Sequence, residues 1–137
     1  MVDEDESLPE AFWAVARRLR QHTRVALEPW DLSPSLARAL RVLSRHGSVR
    51  LSTLAEHLRI APRTATEVAD DLSRHGLASR HPDPGDRRAT LLSLTAAGEA
   101  AADAIRAARN ASGEEFFAAL SPTDKTNLSR ILGKLRG

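Results

Sequence analysis

Cysteine is absent from the 137 residues. Its absence excludes disulfides, thiolate metal sites and any thiol-based redox switch. Aromatic residues are scarce, at 4% against 42% hydrophobic overall, so leucine and alanine must fill most of the core. Alanine-rich sequence with spaced leucines favours helix over sheet. No apolar run approaches the ~20 residues needed to span a bilayer. The acidic start, MVDEDES, is unlike the basic start of a signal peptide. The expectation is a soluble cytoplasmic protein with no membrane partner. Catalytic groupings are missing as well: there is no Ser-His-Asp or paired-carboxylate arrangement and no Gly-rich phosphate loop. The five histidines (His22, His46, His57, His75 and His81) lack the spacing of a metal pair on one helix face. The chain reads as a non-enzyme with no metal and no cofactor.

What is present is arginine, which supplies eighteen of the twenty basic residues. Arginine makes bidentate contacts to phosphate or base edges where it is exposed, although a coding bias explains the count equally well. The distribution is uneven. Residues 1–10 hold five acids and no base, residues 11–50 hold eight Arg against Glu28 and Asp31, and residues 51–88 balance at six of each. A nucleic-acid reading of residues 51–88 therefore rests on where single arginines point, not on bulk charge.

At this length the chain is one domain, with or without dimerising extensions. Residues 1–7 read as a disordered acidic tail. A first helix, α1, runs from Leu8 to about Glu28, with Phe12, Val15, Ala16, Leu19 and Ala26 in a helical stripe. Ser33 and Pro34 start α2, whose buried face is Leu36, Ala39, Leu40 and Leu43 before Gly47 closes it. Residues 48–51 form a short strand, β1. Ser52 caps α3, with Leu54, Ala55 and Leu58 inward. A three-residue turn leads to α4, which Pro62 opens and Gly76 ends, with Ala65, Val68, Ala69 and Leu72 inward. Two short helices so joined are a helix-turn-helix pattern. Strands β2 and β3, near 77–81 and 87–94, flank the turn residues Asp83, Pro84, Gly85 and Asp86. Thr95 caps α5, which runs to about Ala119 with Gly113 as a weak point. Ser121 and Pro122 start α6, apolar at Leu128, Ile131, Leu132 and Leu135.

The segments LSPSLARALRVLSRHG, LSTLAEHLRIAPRTATEVADDLSRHGLASR, DPGDRRATLLSLTAAG and LSPTDKTNLSRILGKL stand in this order. Together they resemble the MarR family of bacterial transcription regulators over nearly the whole chain. The most specific match is Asp-x-Arg at Asp86-Arg87-Arg88, followed by Leu94-Thr95-x-x-Gly98. The fold class implied is mainly α, an α+β winged helix ordered α1-α2-β1-α3-α4-β2-wing-β3-α5-α6. Residues 33–94 would be the winged helix-turn-helix. Residues 8–32 and 95–137 would supply the dimerisation helices, with the homodimer made through α1, α5 and α6. The resemblance also implies double-stranded DNA as partner and a small-molecule effector, phenolic or lipophilic. Where family members often carry Arg midway along the recognition helix, this chain has Glu67, then Asp70 and Asp71. A glutamate can still read sequence by accepting from cytosine N4.

The expected DNA contacts follow. With its apolar stripe buried, α4 exposes Arg63, Thr64, Thr66, Glu67 and Asp70, and its N-terminal end would reach base edges in the major groove. The plainer alternative is the solvated face of a core helix. Ser52 and Thr53 are candidates for phosphate, with Ser52 as a mere helix cap beside that reading. Arg88 matches the family's wing arginine and would enter the minor groove, oriented by a charge-assisted pair with Asp86. Arg87 and Arg80 would meet phosphate. The alternative for the wing is a surface ion pair at a hairpin tip. Trp13, His22 and Trp30 are candidates for walling an effector pocket, against core packing. On function, a ligand-responsive repressor on a pseudo-palindromic operator stands first. A winged-helix dimer that acts as a protein-interaction module without its own operator is the alternative. A small-molecule or metal carrier is a third reading.

Overall fold

The computed structural model describes residues 4–137. These form α1 (Leu8–Leu27), a 3₁₀ turn (Glu28–Trp30), α2 (Pro34–His46), β1 (Val49–Arg50), α3 (Leu51–Leu58) and α4 (Pro62–Arg74). They continue through β2 (Ala78–Asp83), β3 (Asp86–Leu94), α5 (Ala96–Phe116), a second 3₁₀ turn (Phe117–Ala119) and α6 (Pro122–Leu135). This is the expected mainly helical winged helix, with a three-stranded antiparallel sheet ordered β1-β3-β2. Two compact units result. One is drawn from residues up to Pro29 and from Ala108–Gly137, the other from Trp30–Ala107.

The second unit has the core. Leu40, Leu43, Leu54, Leu72 and Leu92 are its largest fully buried side chains, and Ala39, Ala65 and Ala69 fill the gaps between helix backbones. The apolar stripes of α2, α3 and α4 thus bury the residues that helical spacing selects. The register Val49↔Leu92 and Ala78↔Leu94 ties both outer strands to β3. Pro82 lies within β2, one residue beyond the expected strand end, opposite Thr90. An edge strand tolerates it, and the register shifts between Pro82 and Asp83.

Three local expectations are corrected. Ser52 does not cap α3. The helix starts at Leu51 because β1 runs straight into it, leaving Arg50 at the cap position with no side-chain cap bond. The acidic tail does not extend disordered to residue 7. Ser7 Oγ accepts from the Glu10 amide and the Ser7 amide donates to Glu10 Oε2, both at 3.3 Å, which is a capping box; residues 1–3 lie outside the described residues. Finally, α5 continues through Gly113 but ends at Phe116, and a 3₁₀ turn carries the chain on to Ala119.

The end of α4, the start of β2 and the start of α5 are knotted together. Gly76 takes φ +71, a left-handed conformation that suits glycine just past a helix end. Thr95 Oγ1 donates to Gly76 O (2.7 Å) and accepts from Gly98 N (3.1 Å), while Thr95 N donates to Leu77 O (3.0 Å). A Cβ on Gly98 would lie 2.9 Å from the Leu77 carbonyl carbon and collide with its oxygen. The Leu-Thr-x-x-Gly run is therefore a close-approach device: threonine caps and stitches, and glycine makes room for a backbone.

In the first unit α1 lies beside the C-terminal part of α5, with the His22 and Phe116 rings 5.9 Å apart and Ser112 Oγ 3.5 Å from His22 O. Among its described residues none of the apolar side chains is fully buried. Phe12 (50%), Trp13 (58%) and Leu135 (71%) remain exposed.

Gly98→Ala should lower the unfolding free energy by about 1–3 kcal/mol, as overpacking against fixed backbone does. Chemical denaturation checks this; a change within about 0.5 kcal/mol, the usual range for an uninvolved surface site, would contradict the close approach.

Candidate nucleic-acid interface

The turn between α3 and α4 is made by backbone conformation. Arg59 adopts φ 55, ψ 48, and its amide reaches back to the carbonyls of Ala55 and Glu56. Pro62 then occupies the first turn of α4, where its missing N–H costs nothing. No acid sits in that first turn and no side chain caps it. The positive end of the helix dipole is left uncompensated, with Arg63 beside it. Arg63, Thr64, Thr66, Glu67 and Asp70 are all exposed, opposite the buried Ala65, Val68, Ala69 and Leu72. The expected division of α4 into an exposed face and a core face is the observed one.

The polar partners of this face divide its residues. Thr66 Oγ1 donates to Pro62 O within its own helix (3.1 Å). Asp71 pairs with Arg74 on the next turn. Asp70 Oδ1 accepts from the Arg80 guanidinium at 2.6 Å, and the same Arg80 nitrogen lies 3.3 Å from Thr66 O. Arg80, expected at phosphate, is placed on α4 instead, where it neutralises an acid and ties β2 to the helix. The side chains of Arg63 and Glu67 make no hydrogen bond or ion pair among the described residues. Ser52 is exposed and Thr53 half-buried at the start of α3.

The wing is built by two carboxylates. Asp83 Oδ1 accepts from the Gly85 amide at 2.8 Å, closing the turn. Asp83 Oδ2 accepts from both Nε (2.8 Å) and a terminal nitrogen (2.7 Å) of Arg50, a two-point clamp from β1 to the turn of the wing. The Gly85 amide first, and Arg50 second, hold the Asp83 carboxyl below its ordinary 3.8. Sequence reasoning missed this clamp because nothing local marks a pair 33 residues apart. Asp86 Oδ1 accepts from the Arg88 backbone amide at 3.0 Å. The expected Asp86–Arg88 side-chain pair is thus corrected. Asp86 is two residues away and satisfies the nearer backbone donor, leaving the Arg88 guanidinium projecting. Arg87 and Arg88 are both exposed and have no side-chain partner among the described residues.

Of the three residues expected to wall an effector pocket, one lines a groove. An open groove of about 740 Å³ on the first unit is lined by Ala14, Arg17, Arg18, Gln21, His22, Val25 and Phe116. His22 also lies 3.6 Å from Glu115 Oε2. Trp13 is not in the groove; it points to solvent, edge-on to Phe12 at 6.4 Å. Trp30 is half-buried at the end of the 3₁₀ turn and is not among the residues that line the groove. Short-range spacing put the tryptophans near His22 in sequence but could not fix which way each ring faced. Among the described residues no three His, Asp or Glu side chains gather as a metal site would require. The nearest approach of two histidines is a parallel ring stack of His46 on His57, 4.3 Å between centroids. No helix among the described residues is long and apolar enough to cross a membrane.

Comparison with known proteins fits this geometry. The family model for the MarR family matches residues 32–90. An uncharacterised HTH-type transcriptional regulator of Mycobacterium leprae, ML2140, is 31% identical over 114 residues, covering 83% of this chain and 78% of that protein. The chain belongs to the MarR family. It is a winged helix-turn-helix, DNA-binding transcription regulator and not an enzyme. The HTH-type transcriptional repressor MdtR of Bacillus subtilis is 27% identical over 122 residues, 89% of this chain and 79% of that one. The crystal structure of YusO from Bacillus subtilis superposes with a TM-score of 0.80 at 26% identity, over 92% of this chain and 89% of that one. In this MarR-family chain the wing motif Asp-x-Arg is a backbone brace for a free arginine.

The Asp83 carboxyl should titrate with a midpoint below 3.8. Its contribution to wing stability is then complete above pH 3.8 and lost as pH falls through the lowered value. A side-chain carboxyl NMR titration checks the sign; a midpoint at or above 3.8 would mean the clamp does not persist in solution.

Proposed function

We propose that this regulator is a repressor that binds a pseudo-palindromic operator as a homodimer and is released by a small-molecule effector. The observation that carries the DNA reading is the set of free, exposed guanidiniums within one unit: Arg63 at the open first turn of α4, and Arg87 and Arg88 just past the wing turn. Arg63, Thr64, Thr66 and Glu67 face the major groove. Ser52, Thr53 and Arg87 meet phosphate, and Arg88 enters the minor groove, where narrow width and negative potential attract arginine. Arg80 and Asp86 act from behind, one by holding Asp70 and the other by bracing the wing backbone.

The dimer reading is supported by the first unit, whose described residues bury no apolar side chain completely while Phe12, Trp13 and Leu135 face solvent. Helices with that much exposed apolar surface need a partner, and a second copy pairing through α1, the C-terminal part of α5, and α6 supplies one. Two reading heads then meet successive major grooves ~34–36 Å apart. Repression rather than activation is supported by the similarity to MdtR. The groove beside His22 and Phe116 supports a phenolic or lipophilic effector, which acts by preferring one spacing of the heads.

Selection of bound duplexes from a random pool at two salt concentrations tests the reading. The expected result is a pseudo-palindrome with half-sites one helical turn apart and affinity that falls with salt. Absence of any enriched sequence would replace it with the protein-interaction reading. Arg88→Ala should weaken operator binding by at least about 1 kcal/mol with the oligomeric state unchanged in sedimentation. Equal affinity would remove Arg88 from the interface.

A further inference from the structure

We infer that Glu67 is the specificity-determining residue of the recognition helix and that it selects cytosine at one position of each half-site. The inference rests on the DNA-reading role proposed above and deepens it.

Three acids lie along the solvent side of α4, and the structure treats them differently. Asp70 is held by Arg80 at 2.6 Å and Asp71 by Arg74. Glu67 is exposed and makes no hydrogen bond or ion pair among the described residues. By 3.6-residue helical spacing Arg63, Glu67 and Asp70 fall within about 60° of arc, directly opposite the buried Ala65, Val68, Ala69 and Leu72. Glu67 therefore lies on the exposed face, one turn beyond Arg63 and about 40° around the helix from it.

A free carboxylate in that place has two consequences. It accepts hydrogen bonds and cannot donate them, so against major-groove base edges it favours a donor. Cytosine N4 offers a donor and no acceptor, whereas guanine offers the acceptors N7 and O6, and thymine offers O4 with a methyl group. Adenine N6 is a donor, but the neighbouring N7 is an acceptor and repels the second carboxylate oxygen. Cytosine is the base that suits it best. The charge also penalises every other register, because an unpartnered carboxylate near phosphate is unfavourable wherever no donor meets it. With Asp70 and Asp71 already neutralised, this discrimination comes from Glu67.

The test is the selection experiment run in parallel on the wild-type chain, Glu67→Gln and Glu67→Ala, with circular dichroism confirming equal folding. Glu67 has no partners to lose, so both variants should keep the fold. Wild type is expected to enrich cytosine at one fixed position of each half-site by about tenfold. Glu67→Ala should enrich the same palindrome with that position levelled, and bind unselected DNA more tightly. Glu67→Gln should move the preference towards adenine, whose N6 and N7 a carboxamide meets together. Retention of the cytosine preference in Glu67→Ala would overturn the inference while leaving the regulator reading intact. Absence of any palindrome for the wild type would overturn both.

Discussion

The second unit depends on one close approach, that of Gly98 to the Leu77 carbonyl. Without it Thr95 could not sit where its hydroxyl reaches the Gly76 carbonyl and its amide reaches Leu77. The end of α4, the register of β2 on β3 and the start of α5 are all fixed at this point. None of the three bonds is strong by itself, since a typical net hydrogen bond is worth about 1 kcal/mol. They matter because they meet at one residue, Thr95, which caps α5 and binds the carbonyls of Gly76 and Leu77 at the junction of α4 and β2. The helix α4 and the wing are thereby held as parts of one body, which the proposed reading of two grooves requires.

The two units are stabilised by different means. The second buries a leucine and alanine core in which small residues let helix backbones come close. The first, among its described residues, buries only the polar Ser112 fully. Its helices carry amphipathic stripes that are sound as local sequence but unfinished as packing. In the proposed dimer, stability and assembly are linked by mass action.

Much of this was legible in the sequence, and the reason is periodicity. The stripes of α2, α3 and α4 name their buried residues because helical spacing and burial report the same face. Ser33 and Ser121 announce helix starts because each stands before a proline and an apolar run. The Ser7–Glu10 capping box was legible too, as Ser-x-x-Glu, but the acidic composition around it outweighed the signal. Arg50–Asp83 and Arg80–Asp70 were not legible. They join residues brought together by strand register and by the packing of β2 on α4, and no local pattern encodes either. The same limit separates Asp86 from its expected partner. Sequence places a carboxylate two residues from a guanidinium, but only backbone geometry decides that the amide is the nearer donor.

The ion pairs within residues 51–88 bear on how the molecule moves among binding sites. Arg74 and Arg80 spend their charge on Asp71 and Asp70, so the long-range field around the reading head is weak. Weak fields shorten the time a protein lingers on arbitrary duplex and slow its first encounter with it. A genome offers so many wrong sites that dwell time on them sets how much protein is free to find the right one. In the proposed DNA reader, sparing use of positive charge limits the time lost on wrong sites and slows the first encounter.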